Sequence, residues 1–486
     1  MKKNGKYILS LVFLVVSQLV LAQVGIGTTT PDPSSILDMT STTQGVLTPR
    51  MTSVQRNAIA SPVDGLLVFD TTLDAFYYFS GSSWVKLEGS VKRDNYKLVK
   101  SVADLADELA AGGGSSYQLQ TNFLYEINGT ISINFPIDLN GAYIEGVDVN
   151  EDRLLNASGS ALFSGSKGGS LRNLTILGNG SPVFNITGST LAENVAASTV
   201  IFVGASSIGT LSNLGLVYFN VSQFVSNLEG LSASNITTLF MPNVFWTESN
   251  TGTFLTLSGS FDNLQLANGR VVADSGEAGL DVSANPTIGV SASLVGINFT
   301  GDGERVKGYT AGGYTGYNFT KNWDVNSPGI TEETDNTAIG NFNLSAAIGS
   351  GVATSFSGTG TSSRVKLSGI TTSNNLFRFT ASGNNRIVYD GIKTRNFQIT
   401  TTISFQGDNN NSIFIFYIAK GTSGSSTASV IENTRVYREV GENNDVGPAA
   451  IVGALELAPG DFVEVWAERF SGGGDLLTVS LNLVAK

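Results

Sequence analysis

Gly169-Ser170-Leu171-Arg172-Asn173 recurs as Gly188-Ser189-Thr190-Leu191-Ala192-Glu193-Asn194 and as Gly209-Thr210-Leu211-Ser212-Asn213. It returns as Gly230-Leu231 with Asn235, and again as Gly259-Ser260-Phe261-Asp262-Asn263. The asparagines lie 21, 19, 22 and 28 residues apart, and Leu171, Leu191, Leu211 and Leu231 keep a spacing of 20. Short apolar runs such as Leu174-Thr175-Ile176-Leu177 fill the intervals, broken by Gly, Ser, Thr or Asn. A unit of this size cannot bury its own hydrophobic face, so the repeats must stack, which predicts a parallel β-helix (solenoid) over 117–327. The asparagines are expected as stacked turn amides, each bonding its neighbours above and below. Several Asn-x-Ser/Thr triplets also match glycosylation acceptors, but the turn periodicity favours the ladder.

Outward from the repeat, Ser101 to Ala110 reads as a capped amphipathic helix that Gly112-Gly113-Gly114 ends, within a segment 91–116 of linker and cap. Such a helix suits a cap over an open solenoid end. Residues 23–90 form a small β-rich module with a hairpin over Gly65–Phe79. Gly25 and Gly27 are followed by Thr-Thr-Thr-Pro and no helix, which excludes a phosphate loop. Residues 328–360, rich in Gly, Ser, Thr, Asn and acids, read as a linker. Over 361–486 about nine strand-like runs predict an antiparallel sandwich. In one of them, Ser412–Ile418, apolar residues do not alternate, so both faces call for cover, most economically by another subunit.

Composition narrows the chemistry. The 486 residues include no Cys and no His, and 14% are charged, about half the usual share. Disulfides, thiolate nucleophiles, imidazole bases and Cys- or His-ligated metals are excluded, and no cofactor is called for. Lys2, Lys3 and Lys6, the apolar run Ile8–Leu21 and Ala22 before Gln23 predict a signal peptide over 1–22. Its removal takes the formal charge from −12 to −15, which disfavours nucleic acid and anionic membranes as partners. The expected location is secreted or cell-surface, without membrane insertion after cleavage.

The ordered blocks Val24-Gly25-Ile26-Gly27-Thr28-Thr29-Thr30-Pro31, Ser35-Ile36-Leu37-Asp38, Gly45–Thr52, Gln55–Ile59, Pro62, Gly65–Asp70 and Trp84 resemble an N-terminal attachment module. That module belongs to secreted bacterial surface proteins and phage tail fibres. The resemblance implies packing or turn roles for Arg50 and Arg56. Val99–Leu105, Leu124–Ile131 and Leu171–Ile176 are similar to the start of the right-handed parallel β-helix of tail fibres and tailspikes. Asn384–Tyr389, Thr394–Phe397, Ile413–Lys420 and Leu457-Ala458-Pro459-Gly460-Asp461-Phe462-Val463-Glu464-Val465-Trp466 resemble a C1q/TNF-like jelly roll, a family of trimers.

Together these imply an all-β homotrimeric fibre or adhesin that is not an enzyme. Its C-terminal head would meet a cell-surface glycan or receptor, on a secreted bacterial surface protein or alternatively on a virion tail. Candidate contacts are the loops around Asp408, Asn410, Asn443 and Asp445, within a set 407–411, 421–427, 441–447 and 471–474 expected at one end of the head. A tailspike-like depolymerase is the further alternative, because two carboxylates suffice for glycoside hydrolysis. The weak catalytic candidates are Asp262, Asp274, Glu277, Asp281, Asp302 and Glu304. Oxygen-rich loops at 148–152, 408–411 and 442–445 lack EF-hand spacing, so no metal is expected.

Overall fold

The computed structural model describes residues 23–87 and 93–486; the expected signal peptide lies outside the described residues. The chain divides into two units, Met1–Arg93 and Asp94–Lys486. In the first, β1 (Val24–Ile26) and β2 (Leu37–Met39) form a two-stranded parallel ribbon. A four-stranded sheet runs β3 (Arg50–Met51), β4 (Leu67–Asp70), β5 (Ala75–Ser80) and β6 (Ser83–Lys86) in that order. The expected hairpin is β4–β5. Thr52 and Gln55 cap the short helix Ser53–Asn57 reciprocally.

The second unit opens with the predicted solenoid, about 8 turns between residues 96 and 307. Each strand pairs in parallel with its equivalent one coil on, so like positions fall in columns. Ile176 lies beside Phe202, Phe202 beside Phe224, Phe224 beside Trp246 and Trp246 beside Val271. All five are at most 1% exposed, and the Phe202 and Phe224 rings stack with centroids 5.2 Å apart. The apolar runs are therefore the inside of the coil, buried by neighbours 20 or more residues away.

Corners within the long strands are made by single residues in the left-handed region. Asn173, Thr199, Val221, Asn243 and Asn268 form one column, with φ between +49° and +60°. Asn213 and Asn235 begin a second, at +54° and +53°. The predicted single ladder is thus replaced by two columns of corners, while Asn194 and Asn263 belong to strands. Two corner amides bond backbone of adjacent coils: Asn213 Nδ2 donates to the Gly188 carbonyl (2.6 Å), and Asn235 Oδ1 accepts from the Ser260 N–H (3.1 Å). Two others bond side chains, Asn173 Nδ2 donating to Glu145 (3.5 Å) and Asn243 Nδ2 to Asn220 Oδ1 (3.2 Å). Asn tolerates this φ because its short polar side chain satisfies nearby backbone groups. Amide-to-amide bonding is also found inside, where the fully buried Asn227 donates from Nδ2 to Asn250 Oδ1 (2.9 Å).

At the N-terminal end of the solenoid the predicted single helix is a 3-10 turn, Val102–Leu105, running into the α-helix Ala106–Ala111. Leu105, Val102 and Leu109 pack on the solenoid core. Glu108, 1% exposed, accepts from Lys97 Nζ (2.8 Å) and the Tyr125 hydroxyl (2.9 Å). Burial raises its carboxyl pKa, but these partners outweigh that effect and hold it below the ordinary value.

The C-terminal strands form two antiparallel sheets. One runs Gly340–Ser345, Leu476–Ala485, Arg395–Gly407, Val446–Leu457, with Val352–Thr354 also on Leu476–Ala485. The other runs Phe379–Ala381, Arg386–Tyr389, Phe462–Ser471, Ser412–Gly421, Ser429–Val430, with Val365–Lys366 and Val436–Val440 on its flanks. The two sheets enclose one core, the expected antiparallel sandwich. Two strands of the first sheet, Gly340–Ser345 and Val352–Thr354, come from the stretch read as a linker. Their small polar residues hid the alternation of Phe342 and Leu344.

Ser412–Gly421 also departs from expectation. Phe414, Phe416 and Ile418 face the sandwich core. On the opposite face the chain itself covers Tyr417: Arg364 lies 4.9 Å over the ring, and Glu468 accepts both the Tyr417 hydroxyl and Arg364 Nε at 2.8 Å. Burial, then Glu468, push the phenol up to about 12. No second subunit is needed there.

Val221 is β-branched, 46% exposed, and holds φ +49°, a conformation that costs such a residue about 1–2 kcal/mol. Val221→Asn, copying the equivalent corner at Asn243, is expected to stabilise the chain by about 1 kcal/mol. Thermal unfolding checks it; an unchanged or lower midpoint contradicts the strain.

Candidate assembly interface

Residues 23–87 offer little to bury. Val68 is the one buried apolar side chain among the described residues of this unit, alongside the buried polar pair Arg56 and Asp70. Around them Val24, Ile26, Ile36, Val46, Leu47, Val54 and Val63 are 53–82% exposed. Seven large apolar side chains exposed on so small a unit make it a candidate for burial in association.

The unit's fixed point is polar. Arg56 Nη1 pairs with Asp70 at 3.2 Å, and its guanidinium lies 3.8 Å over the Tyr77 ring. Asp70 also accepts from Ser53 Oγ (2.8 Å) and from the Thr72 and Leu73 N–H groups (2.9 and 3.2 Å). One carboxylate thus joins the short helix to the β4–β5 turn. Arg50 sits 5.6 Å over Phe69. Both arginines are packing groups here, in line with their expected roles.

The structure separates the weak carboxylate candidates. Asp274 and Glu277 share a turn, Glu277 accepting the Asp274 N–H at 2.8 Å. The turn carrying Asp302 and Glu304 stacks on it one coil later, through Gly303 N–H to Ala273 O and Glu304 N–H to Glu277 O. Asp281 accepts from Ser283 and pairs with Lys307 (3.7 Å). Asp262 stands apart on the strand Thr253–Val272, where Gly289 leaves it room. Among the described residues no group of three or more acids is placed to hold a metal ion.

The head loops are brought together in part. Asn410 Oδ1 accepts the Asn443 N–H (2.6 Å), Asp408 Oδ1 accepts the Asp475 N–H (2.6 Å), and Asp445 Oδ2 accepts the Glu442 N–H (3.2 Å). The loops 407–411, 441–445 and 471–475 therefore share one end of the sandwich. Loop 421–427 does not join them. Ser412–Gly421 carries it to the opposite end, where Ser423 N–H meets Asp461 (3.1 Å). A strand of ten residues separates its two loops by its full length.

Two features escaped the sequence reading. On the outside of the solenoid Gln223, Phe245 and Arg270 stack in one column and line a groove of about 380 Å³ with Glu248. Their signal was only one residue per coil. Where solenoid meets sandwich, Arg378, 1% exposed and at φ +56°, donates to the carbonyls of Lys321, Trp323 and Glu333. Burial raises the Glu333 carboxyl pKa, although the Asn318 and Phe319 N–H groups donate to it.

Burial raises the Asp70 carboxyl pKa, but Ser53, the Leu73 and Thr72 N–H groups and Arg56 together bring it below the ordinary value. Its stabilising contribution is therefore present above the unfolded value of about 3.9 and is lost as pH falls through the lower folded value. Acid titration of the oligomer should show dissociation below about pH 4. Asp70→Asn should weaken assembly already at neutral pH; an unaltered oligomer at both pH values contradicts this.

A search of curated proteins finds no match. Similar solved structures include murine APRIL at pH 5.0 (10% identity, TM-score 0.21, 30% of this chain and 99% of that one). Eiger TNF from S. frugiperda gives 10% identity and TM-score 0.22, over 31% of this chain and 92% of that one. The enzymatically active domain of tailspike protein 4 of bacteriophage CBA120 gives 11% identity and TM-score 0.21, over 90% and 77%. Residues 25–101 match the family model described as the phage tail like trimerisation region, and this stretch contains nearly all of the coreless β1–β6 module.

Proposed function

We propose that the chain is a homotrimeric, phage-tail-like fibre that recognises a surface glycan or receptor. The observation that carries this reading is the apolar, coreless module at 24–87 inside a match to a trimerisation region. Three copies supply what one lacks. The solenoid then serves as a stiff body, since its strands are bonded coil to coil, and the jelly roll is its C-terminal head. Loops 407–411, 441–445 and 471–475 form the recognition end, opposite the base where Arg378 holds the solenoid. Three weak sites on one trimer gain avidity on a coated surface.

Export to the bacterial surface is supported by the basic and apolar segment 1–22; a virion tail fibre is the alternative. Intact Met1 in the mature protein would favour the virion. Light scattering on the full chain, 51.0 kDa, should give about three chain masses, and a mass near one chain overturns the trimer. Asn410→Ala with Asn443→Ala should weaken binding to a surface polysaccharide about tenfold or more, if each lost contact is worth about 1 kcal/mol. Unchanged binding removes those loops from recognition.

A second reading, a polysaccharide depolymerase, draws on the stacked acids Asp274, Glu277, Asp302 and Glu304. Incubation with capsule or exopolysaccharide decides it. Release of oligosaccharides that vanishes with Asp302→Asn or Glu304→Gln establishes the enzyme, and no release supports binding alone.

A further inference from the structure

We propose that the trimer closes by insertion of one copy's β1–β2 ribbon into the apolar groove of the next copy's sheet. The groove, about 240 Å³, is lined by Val46, Leu47, Thr48, Arg50, Phe69 and Phe76. The inference rests on the trimeric reading above and adds to it which two surfaces meet.

The ribbon cannot stand by itself. Its parallel register sets Val24 beside Leu37 and Ile26 beside Met39. Residues two apart on a strand share a face, so these four apolar side chains form one flat patch, each 44–56% exposed. An isolated pair of strands is marginal in water even when longer than three residues. The ribbon therefore needs a partner surface on that face.

The groove has the opposite shape and an equal need for cover. Leu47 is 82% exposed and Val46 57%, and both flank the Phe69–Phe76 ring pair. Symmetry joins the two patches. A cyclic trimer uses a head-to-tail contact, in which each copy offers two different, complementary surfaces and the ring closes after three. The module presents such a pair, one flat and one recessed. Charge agrees: residues 24–39 contain Asp32 and Asp38 and no basic residue, whereas residues 46–52 contain Arg50 and no acid.

The chain has no native cysteine, so introduced thiols report contacts cleanly. Ile26→Cys and Leu47→Cys are placed together in the full chain, oxidised, and run on a denaturing gel without reductant. A shift from the one-chain to the three-chain band, absent from either single variant, supports the ribbon-in-groove contact. Met39→Cys with Phe76→Cys provides a second pair should the first disturb folding. A three-chain mass by light scattering with no covalent trimer from either pair overturns the inference alone. So does a fast-migrating single chain, which places the ribbon in its own groove, or covalent dimers from Ile26→Cys by itself, which places ribbon against ribbon. A one-chain mass for the unmodified protein overturns both this inference and the trimeric reading.

Discussion

The solenoid, residues 96 to 307, depends on in-register parallel stacking. A coil of some 20 to 28 residues buries its apolar column and completes its strand hydrogen bonds only against the coils on either side. The column Ile176–Phe202–Phe224–Trp246–Val271 shows the consequence, because each ring fills the slot above the last. Stacking also creates a problem at each end, where the final coil has no neighbour. The two ends are closed differently. At the first, Val102, Leu105 and Leu109 cover the core, and Glu108 is held by Lys97 and Tyr125. At the other, Arg378 of the sandwich reaches three carbonyls of the last solenoid segment. A buried guanidinium suits this place because its planar fork serves several acceptors at once.

The N-terminal unit meets the same requirement poorly within one chain. Val68, the one buried apolar residue among its described residues, cannot support a core, and the Arg56–Asp70 node orients strands without hiding apolar surface. The low charge of the chain thus has two sources. In the solenoid, apolar residues face inward and Asn or Gly turns the corners. In the first module, apolar residues such as Ile36 and Leu47 face outward.

Legibility followed the range of the interactions. The repeat was readable because stacking imposes the same demand every coil, and the strands of the sandwich because alternation is local. Gly340–Ser345 was not, since Asn341 and Asn343 gave it the look of a loop until Leu476–Ala485 lay beside it. The asparagines of the repeat were read correctly as turn residues at 173, 213 and 235, yet their partners were misjudged. For Asn213 and Asn235 those partners include backbone groups of adjacent coils, and for Asn173 the Glu145 carboxylate, which a spacing cannot display. The buried pair Asn227 and Asn250 lay off the motif altogether. Arg378 gave no signal, because its three acceptors are carbonyls 45 to 57 residues away. The placement of the loops of the sandwich was half legible: strand length alone carries loop 421–427 away from 407–411.

By itself the sequence determined the class of architecture. Period-20 apolar runs force coils to stack, alternating runs force a two-sheet sandwich, and the lack of His and Cys closes off most catalytic chemistry. Tertiary structure decided the rest. It set which Asn turns a corner and which is buried, how Tyr417 is covered, which loops share an end, and that the first module has no core of its own. These outcomes depend on distances between residues far apart in the chain, and only the folded backbone supplies those distances.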